Sequence, residues 1–244
     1  MNFGSLFSGI GGIDLGLERA GMICKWQVEI DDFCQKVLEK HWPEVRKYRD
    51  VREVGKHNLE PVDLITGGFP CQDVSTNGLR KGLSGERSTL WDEYARLIGE
   101  IKPRWVLAEN VLGLFSANDG GFFSKILIDL ANLGYSAGWS TISTGYFANL
   151  PHQRNRVFVL AYPTSKRWQA LEIYKKLSQE NKRVSGEYCG SNDKAMGGVS
   201  DADFCGEIDG LPRAMDRLKS LGNAVVPQVA EYIGRCIMEA DNGN

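Results

Sequence analysis

The sequence predicts an α/β fold built on a mainly parallel sheet, and three observations carry that expectation. The chain opens with a brief apolar strand, Asn2 to Phe7, then a glycine-rich turn, Ser8-Gly9-Ile10-Gly11-Gly12, then apolar residues at helical spacing (Ile13, Leu15, Leu17, Ala20). Strand-like and helix-like segments go on alternating through residue 133, the pattern of a sheet covered by helices. Residue types that carry chemistry recur just beyond the strand ends, where open α/β sheets place their ligands.

Each element has a local reason. Gly21 is a C-cap for the first helix. Ile23 to Val28 reads as a second strand ending in Glu29-Ile30-Asp31, and Asp32 to His41 as a helix stopped by Pro43. A third strand ends near Tyr48-Arg49-Asp50-Val51. Val62 to Thr66 is a fourth, and Gly67-Gly68 free the backbone at its exit before Phe69-Pro70-Cys71-Gln72-Asp73-Val74-Ser75. Residues 72–90 are polar, with Gly78, Gly82 and Gly85 spaced among them, and a stretch of that kind often marks a mobile lid. Leu90 to Ile101 is an amphipathic helix ended by Lys102-Pro103, and Trp105 to Ala108 is a fifth strand that delivers Glu109-Asn110. Phe122 to Leu133 is a helix closed by Gly134. Tyr135 to Thr144 and Arg156 to Tyr162 read as strands, and residues 145–155 between them are too few for a helical crossover, so the pair is expected to be antiparallel. From Pro163 to Gly210 the pattern dissolves, apart from a helical segment at Trp168 to Lys176. Asn223 is then an N-cap, with Pro227 in the first turns of a helix running to Met238.

Bulk composition narrows the class. A chain of 244 residues, 42% hydrophobic and 25% charged, fits one large soluble α/β domain or one domain with a small appendage. No apolar run approaches the ~18 residues of a membrane span, and Met1 leads into Phe3-Gly4-Ser5 with no basic leader. The six cysteines (Cys24, Cys34, Cys71, Cys189, Cys205, Cys236) form no C-x-x-C pair, and His41, His57 and His152 add no ligand spacing. That argues against a zinc site or a disulfide scaffold and fits a reducing cytoplasm. A net charge of −2 excludes a wholly basic nucleic-acid binder. Arg80, Lys81 and Arg87 still cluster in the stretch after Cys71, where they are either a solvated face or a phosphate track.

Several residues stand out for chemistry, each beside a plainer reading. The Gly9 to Gly12 turn is either a tight turn or a place where a ligand meets the helix N-terminus. Glu29 is either a surface or capping charge or a partner for ribose hydroxyls. Asp50, near the end of the third strand, could contact an adenine amino group, although the sequence around it carries little of that reading. Cys71 is either a small buried residue or a nucleophile on a rigid turn. Glu109 is either a strand-end charge or the second half of a site with Cys71, and Asn110 is otherwise a turn residue. Arg154 and Arg156, at alternate positions, face one side of a strand, as an edge device or as ligands for negative charge.

Taken in order, Phe7-Ser8-Gly9-Ile10-Gly11-Gly12, Glu29, Asp50, Gly68-Phe69-Pro70-Cys71-Gln72, Glu109-Asn110-Val111, Gln153-Arg154-Asn155-Arg156 and Gly222-Asn223-Ala224-Val225 resemble the DNA cytosine-5 methyltransferases. The resemblance covers residues 1–162 and 211–238, and its most specific part is the Phe-Pro-Cys-Gln element followed by Glu-Asn-Val. It implies the S-adenosylmethionine-dependent methyltransferase (Rossmann-like) fold, with a seven-stranded, mainly parallel sheet and one antiparallel strand. It divides the chain into a catalytic domain of residues 1–162 and 211–244 and a short target-recognition region at 163–210.

The resemblance further implies a cofactor, S-adenosylmethionine, leaving as S-adenosylhomocysteine, with no metal. Phe7, Gly9, Gly11 and Gly12 would hold it, with Glu29 on the ribose, Ile30 in place of an aromatic that stacks on adenine, and Asp50 and Val51 on the adenine. Pro70, Asn223 and Val225 would complete the pocket, and the C-terminal helix would fill the position before strand one. Cys71 would attack C6 of a flipped cytosine, Glu109 would serve N3, and Arg154 and Arg156 would serve O2. Gln72, Ser75, Arg80, Lys81, Arg87 and Asn110 would contact double-stranded DNA or the base, in a monomer. The departures are Ser5, where an acidic residue is usual, Ile30, and the short 163–210 region, after which a further motif is barely discernible at Arg213 to Lys219. That shortness resembles solitary phage or prophage enzymes. A degenerate cofactor-binding protein, an RNA methyltransferase and a dinucleotide oxidoreductase are the rival readings; the last leaves Cys71 and Glu109 idle.

Overall fold

In a computed structural model, the residues described are 1–70, 90–143, 155–164, 173, 176 and 225–242. Seven strands form one sheet: β1 (Asn2–Leu6), β2 (Ile23–Val28), β3 (Arg46–Tyr48), β4 (Leu64–Gly68), β5 (Trp105–Val111), β6 (Tyr135–Ser143) and β7 (Asn155–Pro163), in the order β3-β2-β1-β4-β5-β7-β6. The helices are α1 (Gly12–Arg19), α2 (Asp32–His41), α3 (Leu90–Ile101), α4 (Gly121–Asn132) and α5 (Pro227–Asn242). Strands β1 to β5 pair in parallel, while β7 runs antiparallel to both β5 and β6. One reversed strand in seven is the arrangement that the sequence and its resemblance led us to expect.

Alternation along the strands builds two cores. On β5, Val106 and Ala108 face one way with Ile65, Val157 and Val159, under Trp91, Tyr94, Leu97 and Ile98 of α3 and Ile126 and Leu130 of α4. Trp105 and Leu107 face the other way with Leu64, Phe158 and Leu160, toward Leu17 of α1 and Val229, Ile233 and Ile237 of α5. The C-terminal helix thus lies against α1, where the bare Gly16 lets the Ala230 methyl and the Pro227 carbonyl approach. This is the expected contribution of the far end of the chain to the opening unit.

Helix limits follow their caps. Asp31 accepts hydrogen bonds from the backbone of Phe33 (3.0 Å) and Cys34 (2.9 Å) and starts α2, and Pro43 follows its end. Two strands differ from expectation by more than one residue. β4 is displaced to Leu64–Gly68, so the two glycines lie within it rather than beyond it. Their lack of a side chain is used for close approach: a Cβ on Gly67 would lie 2.3 Å from the Leu6 carbonyl oxygen. β5 continues to Val111, three residues past its expected end, because β7 pairs with Glu109, Asn110 and Val111. The helix expected to end at Met238 continues to Asn242. No helix among the described residues is long and apolar enough to cross a membrane.

Candidate active site

The carboxyl ends of β1, β2, β4 and β5 and the beginning of β7 meet at one edge of the sheet. β1 passes into Phe7, whose φ of 53° is a left-handed conformation that costs a non-glycine residue strain. By simple alternation its ring would fall on the α1 side; instead it packs into the α3 side, 6.4 Å from Tyr94. Strain at this point turns the chain into the glycine loop. Gly11 caps α1 at φ 83°, and a Cβ on Gly12 would lie 2.3 Å from the carbonyl oxygen of Val225. Segments from the two ends of the described chain therefore close on each other at the loop.

Glu29 reaches back from the end of β2. Its carboxylate accepts the Gly9 N–H at 2.7 Å and the Asp31 N–H at 2.9 Å, which ties the acid to the glycine loop and leaves each oxygen a further lone pair. Gln35 donates to the carbonyls of Glu29 (2.6 Å) and Tyr48 (2.9 Å) and keeps the ends of β2 and β3 together. Beside Glu29, Ile30 is 62% exposed, an apolar surface at the mouth of this edge. Asp50 caps a 3-10 turn at Val51–Glu53 and grips Arg52 with both oxygens, and that pairing holds its carboxyl below the usual range. Val51 is buried beneath it. Arg96 of α3 donates to the carbonyls of Val51 (3.0 Å) and Val54 (2.9 Å), fixing this turn on the sheet. The sequence reading missed that arginine, which looks like one more charge on an amphipathic helix.

The second half of the site lies on β4, β5 and β7. Glu109 is buried, and Arg156 Nε donates to its Oε1 at 2.8 Å. Register explains the meeting: Glu109 pairs with Phe158 and Val111 with Arg156, so the two side chains are diagonal neighbours on one face. Burial pushes the Glu109 carboxyl up to about 7, against the opposing pull of the Arg156 guanidinium. Such an acid can hold or give up a proton near neutral pH. Gly68 pairs with Glu109 on β4, and a Cβ there would lie 2.7 Å from Glu109 Oε2. Phe69, next in the chain, is clamped among Trp91 (5.3 Å), Tyr94 (6.4 Å) and Phe122 (6.4 Å). Pro70 then emerges exposed.

Asn110, expected among the base contacts, is placed otherwise. It is 4% exposed, its Nδ2 donates to the Phe69 carbonyl at 3.0 Å and its Oδ1 accepts the Val111 N–H at 2.8 Å. Both ends of the amide are spent on the backbone, so it holds the Phe69-Pro70 turn rather than reaching outward. Cys71, Gln72, Ser75, Arg80, Lys81, Arg87, Arg154 and Asn223, with the expected lid at 72–90 and nearly all of the 163–210 region, lie outside the described residues. Among the described residues no group of three or more His, Cys, Asp or Glu could hold a metal ion.

A seven-stranded, mainly parallel sheet with one reversed strand, opening through a strained turn into a glycine loop, is the fold of the S-adenosylmethionine-dependent methyltransferases. Residues 1–202 match the family of C-5 cytosine-specific DNA methylases, and the chain belongs to that family. It is 38% identical over 161 residues to the type II methyltransferase M2.BsuMI of Bacillus subtilis, which covers 64% of this chain and 41% of that protein. It is 38% identical over 178 residues to the type II methyltransferase M.PspPI of a Psychrobacter strain, covering 72% of this chain and 41% of that protein. Among solved structures, a DNA modification methyltransferase encoded within an E. coli prophage is similar at 28% identity and a TM-score of 0.55. That likeness covers 68% of this chain and 48% of the other. The chain thus spans less than half the length of each of these relatives.

Proposed function

We propose that the chain transfers a methyl group from S-adenosylmethionine to C5 of cytosine in DNA, through attack of Cys71 on C6 of a base flipped out of the duplex. The observation that carries this reading is Glu109: a buried carboxyl near neutrality, paired with Arg156, on the strand beside the one that leads into Cys71.

The residues present fit the cofactor. Gly12 packs bare against Val225, the Glu29 carboxylate stands at the loop with lone pairs for a ribose diol, and exposed Ile30 offers an apolar surface to a purine. Asp50 and Val51 would meet the adenine, while Phe7, Gly9, Gly11, Pro70 and Asn223 would line the rest of the pocket. When bound, S-adenosylmethionine supplies an electrophilic methyl group.

The chain's own groups supply the nucleophile. C5 of cytosine is too electron-poor to take a methyl group unaided. As the Cys71 thiolate bonds to C6, the C5=C6 pair moves to C4=C5, the N3=C4 pair moves onto N3, and N3 takes a proton from Glu109. Arg154 and Arg156 would steady the charge at O2. C5 is then an enamine carbon able to accept the methyl group. Loss of the C5 proton to solvent re-forms C5=C6, the C–S electron pair returns to Cys71, and the N3 proton returns to Glu109. For this the Cys71 thiol must ionise below the ordinary value of about 8.5.

The substrate in this reading is double-stranded DNA, bound by a cytoplasmic monomer, with residues 163–210 as a short target-recognition region. Gln72, Ser75, Arg80, Lys81 and Arg87 would face the base and the phosphates. Incubating the full chain with mixed-sequence DNA and labelled S-adenosylmethionine, then mapping the product, tests the reading. Label at C5 of cytosine is expected. A chain that binds the cofactor yet labels none of these DNAs would instead be a non-catalytic DNA-interaction protein.

A further inference from the structure

Two carboxyls are buried among the described residues, Glu109 and Asp14, and the chemistry above uses only the first. Asp14 lies in the first turn of α1, fully buried beneath the glycine loop, and its contacts are all with uncharged groups. Ser5 Oγ of β1 donates to its Oδ2 at 3.0 Å, Gln27 Nε2 of β2 donates to its Oδ1 at 2.8 Å, and Cys24 Sγ lies 3.9 Å from Oδ1. Gln27 is equally buried, and its Oε1 meets no donor, so the amide makes its side-chain contact through Nε2 alone. A polar cluster of this kind is costly in an apolar layer unless it holds something in place.

What it holds is visible in the next link. Ser8 Oγ, in the loop between strained Phe7 and Gly9, donates to Ser5 Oγ at 2.9 Å, with the Ser5 carbonyl oxygen a second, longer acceptor at 3.3 Å. Ser5 has one hydroxyl hydrogen. Given to Asp14, that hydrogen leaves Ser5 free to accept from Ser8, so the protons run one way, from the loop to the carboxylate. We propose that Asp14 is a positioning residue for the cofactor loop, acting as a carboxylate through Ser5 on Ser8. With Asp14 ionised, Ser8 directs its hydrogen inward and presents lone pairs on the ligand side, which suits the cationic end of S-adenosylmethionine. A proton on Asp14 competes for the Ser5 lone pair and reverses the chain, so that the Ser8 hydrogen is left with the longer contact to the Ser5 carbonyl or with the ligand side.

Burial pushes the Asp14 carboxyl up to about 6, against the hydrogen bonds from Gln27 and Ser5, with Glu18 of the same helix adding to the rise. The other titratable group facing it is Cys24 of β2, whose thiol burial drives far above its ordinary range. β1 presents Ser5, and α5 meets this helix through Pro227 and Ala230 beside Gly16. α2 reaches the helix through Trp42, whose indole donates to Glu18.

This inference rests on the cofactor site proposed above, and one titration separates the two. S-adenosylmethionine affinity is measured calorimetrically, with no DNA present, from pH 5.5 to 7.5 for the wild-type chain, Asp14→Asn and Ser5→Ala. With a competent fraction set by a group titrating near 6, wild-type affinity should be about fourfold weaker at pH 5.5 than at 7.5. Both variants should be weak and flat over that range, and Ser5→Ala carries the test should Asp14→Asn fail to fold. The melting temperature of the ligand-free wild type, taken relative to Asp14→Asn, should move the opposite way and rise as pH falls, because the folded state takes up the proton. A purely structural Asp14 would move affinity and stability together. A wild-type pH slope retained in either variant overturns the inference. No binding by the wild type at any pH would sink the cofactor site itself.

Discussion

Replacing Glu109 by glutamine should change how the stability of this chain depends on pH. The wild-type carboxyl is held at about 7 in the fold, against an ordinary value of 4.5. A raised folded value contributes stability that is fully present below 4.5 and is lost as pH climbs through 7. The whole interval corresponds to about 3 kcal/mol, of which about 2 kcal/mol falls between pH 5.5 and 8.5. Glutamine keeps the shape and a carbonyl for Arg156 but cannot titrate. Urea unfolding at several pH values should therefore show the wild type losing about 2 kcal/mol more than Glu109→Gln over that span. The absolute stability of the variant is not the readout, since Arg156 is left without its counter-charge. Only the difference in slope counts, and in that difference other groups such as Asp14 cancel. Parallel curves for the two proteins would refute a buried, proton-holding Glu109.

Three further substitutions test the proposed chemistry and the packing around it. Cys71→Ser should reduce methyl transfer on the order of 10⁴-fold or more while S-adenosylhomocysteine affinity stays near wild type; comparable turnover would refute a covalent mechanism. Gly68→Ala places a Cβ 2.7 Å from Glu109 Oε2; displacing that acid should lower kcat by about a hundredfold with cofactor affinity little changed. Gly12→Ala places a Cβ 2.3 Å from the Val225 carbonyl oxygen; calorimetry should find cofactor affinity reduced about tenfold, and urea unfolding a stability loss of about 1–3 kcal/mol.

What the sequence made legible is what local chemistry decides. α2 and α3 begin and end at the expected residues, because Asp31 caps one while Pro43 and Pro103 follow the two ends. Strand limits were less readable, since a partner sets them: β5 reaches Val111 only because β7 lies alongside it. The Glu109–Arg156 pair was expected at one edge of the sheet, but their contact depends on a diagonal register that no spacing reveals. Asn110 shows the limit more sharply. Its type and place beside Glu109 suit a base contact, yet the closeness of the Phe69 carbonyl turns the amide inward. Asp14 was passed over because its neighbours Ile13 and Leu15 already satisfied a helical apolar pattern. The available signal was a set of polar residues, Ser5, Asp14 and Gln27, in elements that otherwise read as apolar.

The central claim, a bond between Cys71 and cytosine C6, can be trapped. DNA copied with 5-fluorocytosine in place of cytosine presents a C5 that cannot release a proton, so the final elimination stops and the adduct should persist. Mixed with the full chain and S-adenosylmethionine, this DNA should give a denaturant-stable complex whose mass is that of the chain plus the methylated strand, with Cys71 as the linked residue. The complex should be absent without S-adenosylmethionine and absent in Cys71→Ser. Methylated DNA from unmodified substrate, with no trapped complex or with one linked elsewhere than Cys71, would contradict the account.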